Sequence, residues 1–198
     1  MTTEDDARKV LTAERAARVY RAVRQAWDDV QQDIARYPHW PRTRAGMVFE
    51  RLKIRLQEQF ATDTGVHFTF ADETMKMVFD GKLVARCKKA DSRGLGHNVP
   101  TGANDLFLDQ QTSLFDPQDK IEIVYVLNLY ATDIKQILVQ ARDGDVRLWA
   151  YEIDDAALGT SAPVTPLPTP PAPPSTSADD LVQPRVKPIV KDESDKNQ

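Results

Sequence analysis

The placement of proline constrains this chain more than any other feature. Nine of its 13 prolines fall between Pro163 and Pro188, and only Pro38, Pro41, Pro100 and Pro117 interrupt the first 155 residues. Proline fixes φ and donates no backbone hydrogen bond, so a segment this rich in it builds neither a helix interior nor a central strand. It also holds too little apolar surface to offset the entropy of ordering it. The sequence therefore predicts a single domain over residues 1–155, ending near Asp154 or Asp155, and a disordered Pro-rich tail over 156–198. The runs Pro166-Leu167-Pro168 and Pro170-Pro171-Ala172-Pro173-Pro174 read as polyproline II spacer, with Leu181–Val190 as a short docking segment at its end.

Composition narrows the function classes. A formal net charge of −4 with 28% charged residues does not point to nucleic acid or membrane in bulk. Cys87 is the only cysteine, so no intramolecular disulfide forms, which suits a reducing compartment. The start, Met1-Thr2-Thr3-Glu4-Asp5-Asp6, is acidic and lacks the apolar run of a signal peptide, and no stretch is long and apolar enough to span a bilayer. The expectation is a cytoplasmic protein with no membrane association.

Residues 4–36 read as one long helix, with Val19, Val23, Trp27, Val30 and Ile34 forming a stripe at spacings of three and four. Pro38-His39-Trp40-Pro41 stops it. A second helix is expected over 43–61, from Thr43 as N-cap to Thr64-Gly65, with Val48, Phe49, Leu52, Leu56 and Phe60 on one side.

The pattern then changes to period two, giving strands over 66–89 and again over 120–153. At Asp80-Gly81 a three-residue loop is favoured over a two-residue one. It places Leu83, Ala85 and Cys87 with Met75, Met77 and Phe79, and leaves Arg86 and Lys88 on the opposite face. The stretch 91–119 reads as a long irregular loop. Lys120 to Tyr130 reads as a central strand with Ile121, Ile123, Tyr125, Leu127 and Leu129 on one face and Val124 and Val126 on the other. For the last hairpin, a two-residue turn at Asp143-Gly144 pairs Ile137 with Ala150, Val139 with Leu148 and Ala141 with Val146. Trp149 and Tyr151 then stand on the other face, beside Leu138, Gln140, Arg142 and Arg147. The fold class is α+β: two N-terminal helices on a mainly antiparallel sheet of about five or six strands.

Each chemical constellation has a plain structural reading beside it. Arg86, Lys88 and Lys89, with Lys82 and Arg93 nearby, could hold phosphates or an acidic partner; equally they are the lysine-rich protection of an edge strand. Glu50, Asp80 and Arg86-Cys87-Lys88 follow the order of a restriction-type nuclease, but Arg86 stands where a second carboxylate would hold magnesium. His39, His67 and His97 have no ligand spacing, so neither a metal nor another cofactor is expected. Cys87 lacks a partner base and reads as core filler, and no catalytic residues emerge. Trp149 and Tyr151 could face a partner, or could pack beneath a helix.

At Arg86-Cys87-Lys88-Lys89, and again at Tyr125-Val126-Leu127-Asn128, Thr132-Asp133-Ile134 and Trp149, the chain resembles a bacterial family of uncharacterised proteins. The likeness covers about residues 43–153. Genes of that family often sit beside an Xre-type helix-turn-helix regulator and an ImmA/IrrE-type peptidase, in mobile-element, toxin–antitoxin or phage-defence loci. Members often carry an aromatic residue inside the basic strand, where this chain has Cys87. With no chemical constellation complete, and a long helix, a basic strand and a long loop as binding surface, the expected function is a non-catalytic interaction or regulatory module; the resemblance implies a partner protein, such as a regulator or peptidase encoded nearby. Two alternatives stand beside it: a divergent restriction-like nucleic-acid enzyme, and a nucleic-acid-binding protein working through Lys82, Arg86, Lys88, Lys89 and Arg93.

Overall fold

The computed structural model describes residues 3–35, 39–71, 74–97, 101–109 and 118–158. The expected tail from residue 159 onward and all of 110–117 lie outside the described residues. The order is α1 (Glu4–Val10), α2 (Ala13–Ile34), α3 (Pro41–Gln59), β1 (Val66–Ala71), β2 (Thr74–Phe79), β3 (Leu83–Lys89), α4 (Gly102–Leu108), β4 (Asp119–Leu127), β5 (Ile134–Asp143) and β6 (Val146–Glu152), then a 3₁₀ turn at Ala156–Leu158. The α+β class is as expected. The six strands lie in sequence order in one sheet, and all neighbours are antiparallel except β3 and β4, which run parallel.

The first helix is two helices. Thr3 and Thr12 each cap one, accepting from the backbone N–H of Asp6 and Arg15, and the chain turns at Leu11 between them. A threonine hydroxyl that satisfies the free N–H groups of a new helix competes with continuing the old one. The helix α3 begins two residues before the expected Thr43, with Pro41 in its first turn, where a missing N–H costs nothing. Arg55 grips Asp29 with two hydrogen bonds of 2.8 and 2.9 Å, and Arg51 reaches Asp33 at 3.1 Å, tying α3 to α2.

One large core lies between α1–α3 and one face of the sheet. Val19, Val23, Trp27 and Val30 of α2 and Val48, Leu52 and Leu56 of α3 meet Met77, Phe79, Ala85, Ile121, Ile123, Ile137 and Val139. Each of the Val, Leu, Ile, Met and Phe side chains among them contributes about 1.5–3 kcal/mol when fully buried. The opposite face is covered in part by α4, where Phe107 and Leu108 pack on Val84 and Val78. That helix sits inside the stretch expected to be irregular, and Thr101 caps it by accepting from the N–H of Asn104.

Two hairpins test the register arguments. At β2–β3, Phe79 pairs with Leu83 and Met77 with Ala85, so Asp80, Gly81 and Lys82 form the favoured three-residue loop. Asp80 and Gly81 both take positive φ, +50° and +67°. At β5–β6 the expected register does not occur. The loop is Gly144-Asp145, and a register shift between Ala141 and Arg142 pairs Ala141 with Trp149 and Val139 with Tyr151. Trp149, Tyr151 and Ile153 thereby join the core side, while Val146 and Leu148 are exposed on the other. The central strand also ends earlier than expected, at Leu127, and Leu129 is 91% exposed. Asn128 stops it: its Oδ1 accepts from the N–H of Thr132 and its amide donates to the Thr132 hydroxyl, both at 2.9 Å, closing a turn with Ala131 at φ +52°.

Candidate functional site

Alternation along β3 decides what each of the five suspected cations can do. Because Leu83, Ala85 and Cys87 enter the core, Arg86 and Lys88 point to the far face and Lys89 returns to the helix side. Lys89 lines a shallow hollow with Trp27, Pro41, Arg44, Tyr125, Leu127 and Ala131. Lys82 is exposed in the β2–β3 loop. Arg93 is engaged by Asp91 and Asp145, at 3.3 and 3.2 Å. The expected basic strand is therefore not one patch, and only Arg86 and Lys88 share a surface.

Arg86 is 6% exposed, with its guanidinium 3.8 Å from the ring centroid of Phe107. Its Nε is buried without a hydrogen-bond partner. The carboxylate opposite in the register is Glu122, and it is committed elsewhere. Arg142 approaches it at 2.8 and 3.1 Å, and the Gln140 amide donates to it at 3.3 Å. Glu122, Gln140 and Arg142 are all buried. Lys88, half-buried, makes no ion pair with any described carboxylate. Burial lowers the pKa of both Arg86 and Lys88; Arg86 lowers Lys88 further, and Glu122 offsets part of the shift in each.

The same polar cluster anchors the loop 91–97. Arg142 donates to the Gly96 carbonyl at 3.1 Å, and Arg147 donates to the Gly94 carbonyl at 2.6 Å and to Gln140 Oε1 at 3.0 Å. Asp91 holds the loop's turn by accepting from the N–H of Arg93 and of Leu95. A Cβ on Gly96 would lie 2.7 Å from a Glu122 oxygen, so the loop needs glycine to come this close.

The nuclease-like constellation does not assemble. Asp80 sits in the β2–β3 loop, where Arg15 donates to its two oxygens at 2.6 and 3.1 Å and to those of Asp63 at 2.9 and 3.0 Å. Those hydrogen bonds hold both carboxyls below the ordinary carboxylate range. Lys88 is near the other end of β3, roughly 17 Å along the strand from Leu83. Glu50 is exposed on α3 and paired with Lys53 at 2.6 Å. Among the described residues no three His, Cys, Asp or Glu side chains group as metal ligands. Cys87 is buried, which pushes its thiol up to about 12. Tyr151 is 8% exposed, stacked on Trp149 at 6.0 Å with Arg8 3.5 Å from its ring, so this pair lies under the N-terminal helices.

Sequence reasoning missed a different surface. Trp40, Leu129 and Tyr130 are 83%, 91% and 80% exposed. Pro41 and Ala131, chain neighbours of Trp40 and Tyr130, line the same hollow as Arg44 and Lys89, at the end of the sheet where α3 begins and β4 stops. The signals were present: Pro41 as a helix start, and Asn128 with Thr132 as a turn. No family model, curated protein or solved structure matches the chain.

Proposed function

We propose that this chain is a non-catalytic interaction module that docks a partner protein through the end of the sheet carrying Trp40, Leu129 and Tyr130. The exposure of these three large apolar residues, close in the chain to Pro41 and Ala131 in the lining of one hollow, carries the reading. A folded domain gains nothing by holding two aromatic rings and a leucine in water, and such groupings mark protein contacts. Arg44 and Lys89 line the hollow without an acidic residue among its lining, which suits a partner with an apolar centre and an acidic rim. The family resemblance supplies the setting: a mobile-element, toxin–antitoxin or phage-defence locus, with a regulator or peptidase as partner.

The test is affinity capture from the native host with the full chain and with Trp40→Ser/Tyr130→Ser. The expected result is one protein retained by the first and lost with the second, at equal stability of the two. A partner held equally by both, or no protein captured, refutes the assignment.

A further inference from the structure

We propose that Arg86 and Lys88 form a binding site for a phosphate monoester on the face of the sheet opposite helices α1–α3. Among the described residues the charge of these two cations is only partly offset. Two cations alternate outward along β3, about 7 Å apart by strand geometry. Arg86 is more than nine-tenths buried, its Nε has no hydrogen-bond acceptor among the described residues, and its stabilising neighbours are the ring of Phe107 and, through space, Glu122. Lys88 is the next outward side chain on the same strand and is half-buried. Among the described residues the acid opposite Arg86 is Glu122, and Arg142 already engages it. A buried cation without a counter-ion is costly, and a hydrocarbon side chain of the same length would serve the fold better. Two such cations side by side make sense as one half of an ion pair whose other half arrives from outside.

The chemistry of the visitor follows from the count and type of donors. A planar guanidinium presents a fork of N–H groups that fits two oxygens of one tetrahedral or planar anion, and an ammonium beside it supplies a mobile point charge. Arg86 and Lys88 share the buried carboxylate of Glu122 with Arg142, so a dianion best matches the positive charge that remains. A phosphate monoester carries about −1.5 to −2 near neutral pH. A carboxylate or a phosphodiester, with one negative charge, leaves one cation unmatched. Phe107 stacks on one side of the guanidinium and so orients its edge.

This site is separate from the docking end around Trp40 and is tested separately. The full chain is titrated calorimetrically, at fixed ionic strength and pH 7.5, with inorganic phosphate, O-phosphoserine and a nucleoside 5′-monophosphate. Acetate and a dinucleotide phosphodiester serve as monoanionic probes. Saturable 1:1 binding of the monoester probes is expected, at least tenfold tighter than either monoanion. The ranking of the phosphate-bearing arms tells a free phosphate from a phosphorylated side chain or a nucleotide. Arg86→Met and Lys88→Met should each weaken binding at least tenfold, while Lys82→Met, in the exposed loop, leaves it unchanged. Because Arg86→Met removes a buried charge that is only partly offset, its melting temperature should hold or rise, so lost binding is not lost folding. Undiminished binding in both variants overturns the proposal. So does equal binding of acetate, the absence of saturable binding, or a marked fall in the melting temperature of Arg86→Met, which would show that its charge is already matched within the chain.

Discussion

Replacing Gly96 by alanine tests the polar cluster on the outer face of the sheet. The added methyl would stand 2.7 and 2.8 Å from the two Glu122 oxygens and 2.9 Å from the carboxyl carbon, against an ordinary contact of about 3.4 Å or more. Either the carboxylate withdraws or the loop lifts. Withdrawal separates Glu122 from Arg142 and Gln140 in a region closed to water, which costs about 3–5 kcal/mol. Lifting the loop breaks the bond from Arg142 to the Gly96 carbonyl and that from Arg147 to the Gly94 carbonyl. Each is charge-assisted and worth roughly 1.5–3 kcal/mol, partly recovered from water because Gly94 is less buried. The cheaper route is the second, so we expect Gly96→Ala to lose about 2–4 kcal/mol in urea denaturation followed by tryptophan fluorescence. Gly46→Ala is the matched control. It sits on the exposed side of α3 with open space around its Cβ, so it should gain about 0.5–1 kcal/mol from helix propensity. A Gly96→Ala protein within about 0.5 kcal/mol of the parent would refute the claim that this loop is docked on a rigid, paired carboxylate.

Arg15→Met should cost about 2 kcal/mol in the same assay, mostly through Asp63, because Asp80 is 42% exposed and partly screened. The pH dependence has a defined sign. Both carboxyls titrate lower in the folded chain than the unfolded value of about 3.9, so their contribution is present above that pH and lost as pH falls through the folded values. Wild-type stability should therefore drop below about pH 4, and Arg15→Met should show a shallower drop; parallel curves would rule out this role. The Cys87 thiol, 4% exposed and pushed up to about 12, should stay unmodified by a disulfide reagent at pH 8 while the urea-unfolded chain reacts fully. Native-state labelling at the unfolded rate would contradict its place in the core.

The two hairpins show why part of the fold was legible in the sequence and part was not. At β2–β3 the wrong register would have driven Lys82, Arg86 and Lys88 into the core, so burial alone selected the right loop length. At β5–β6 both registers bury apolar residues: Val146 and Leu148 in one, Trp149, Tyr151 and Ile153 in the other. Period-two reasoning had nothing with which to choose, and the shift at Ala141 is invisible in a single strand. The candidate sites divide in the same way. Alternation placed Arg86 and Lys88 outward, a local property of β3. That Phe107 covers Arg86 and that Glu122 is already matched by Arg142 are long-range facts, set by α4, β4 and β5. The exposed end was missed because Leu129 fits a strand pattern and is taken out of it by the Asn128 turn.

The single parallel pairing has a kinetic consequence. Strands β1 to β3 form one meander and β4 to β6 another, each closed by short connections, and the two join only along β3 and β4. Loop-closure entropy is small inside a meander and largest where the chain from Lys89 to Asp119 must return to lay β4 alongside β3. Each half can acquire its local contacts on the timescale of a hairpin, but neither has a covered apolar face until the seam between them closes beneath α2 and α3. The seam is thus the step on which cooperative folding waits, and the unpaired margins of β3 and β4 are the surfaces that a half-folded chain exposes to its neighbours.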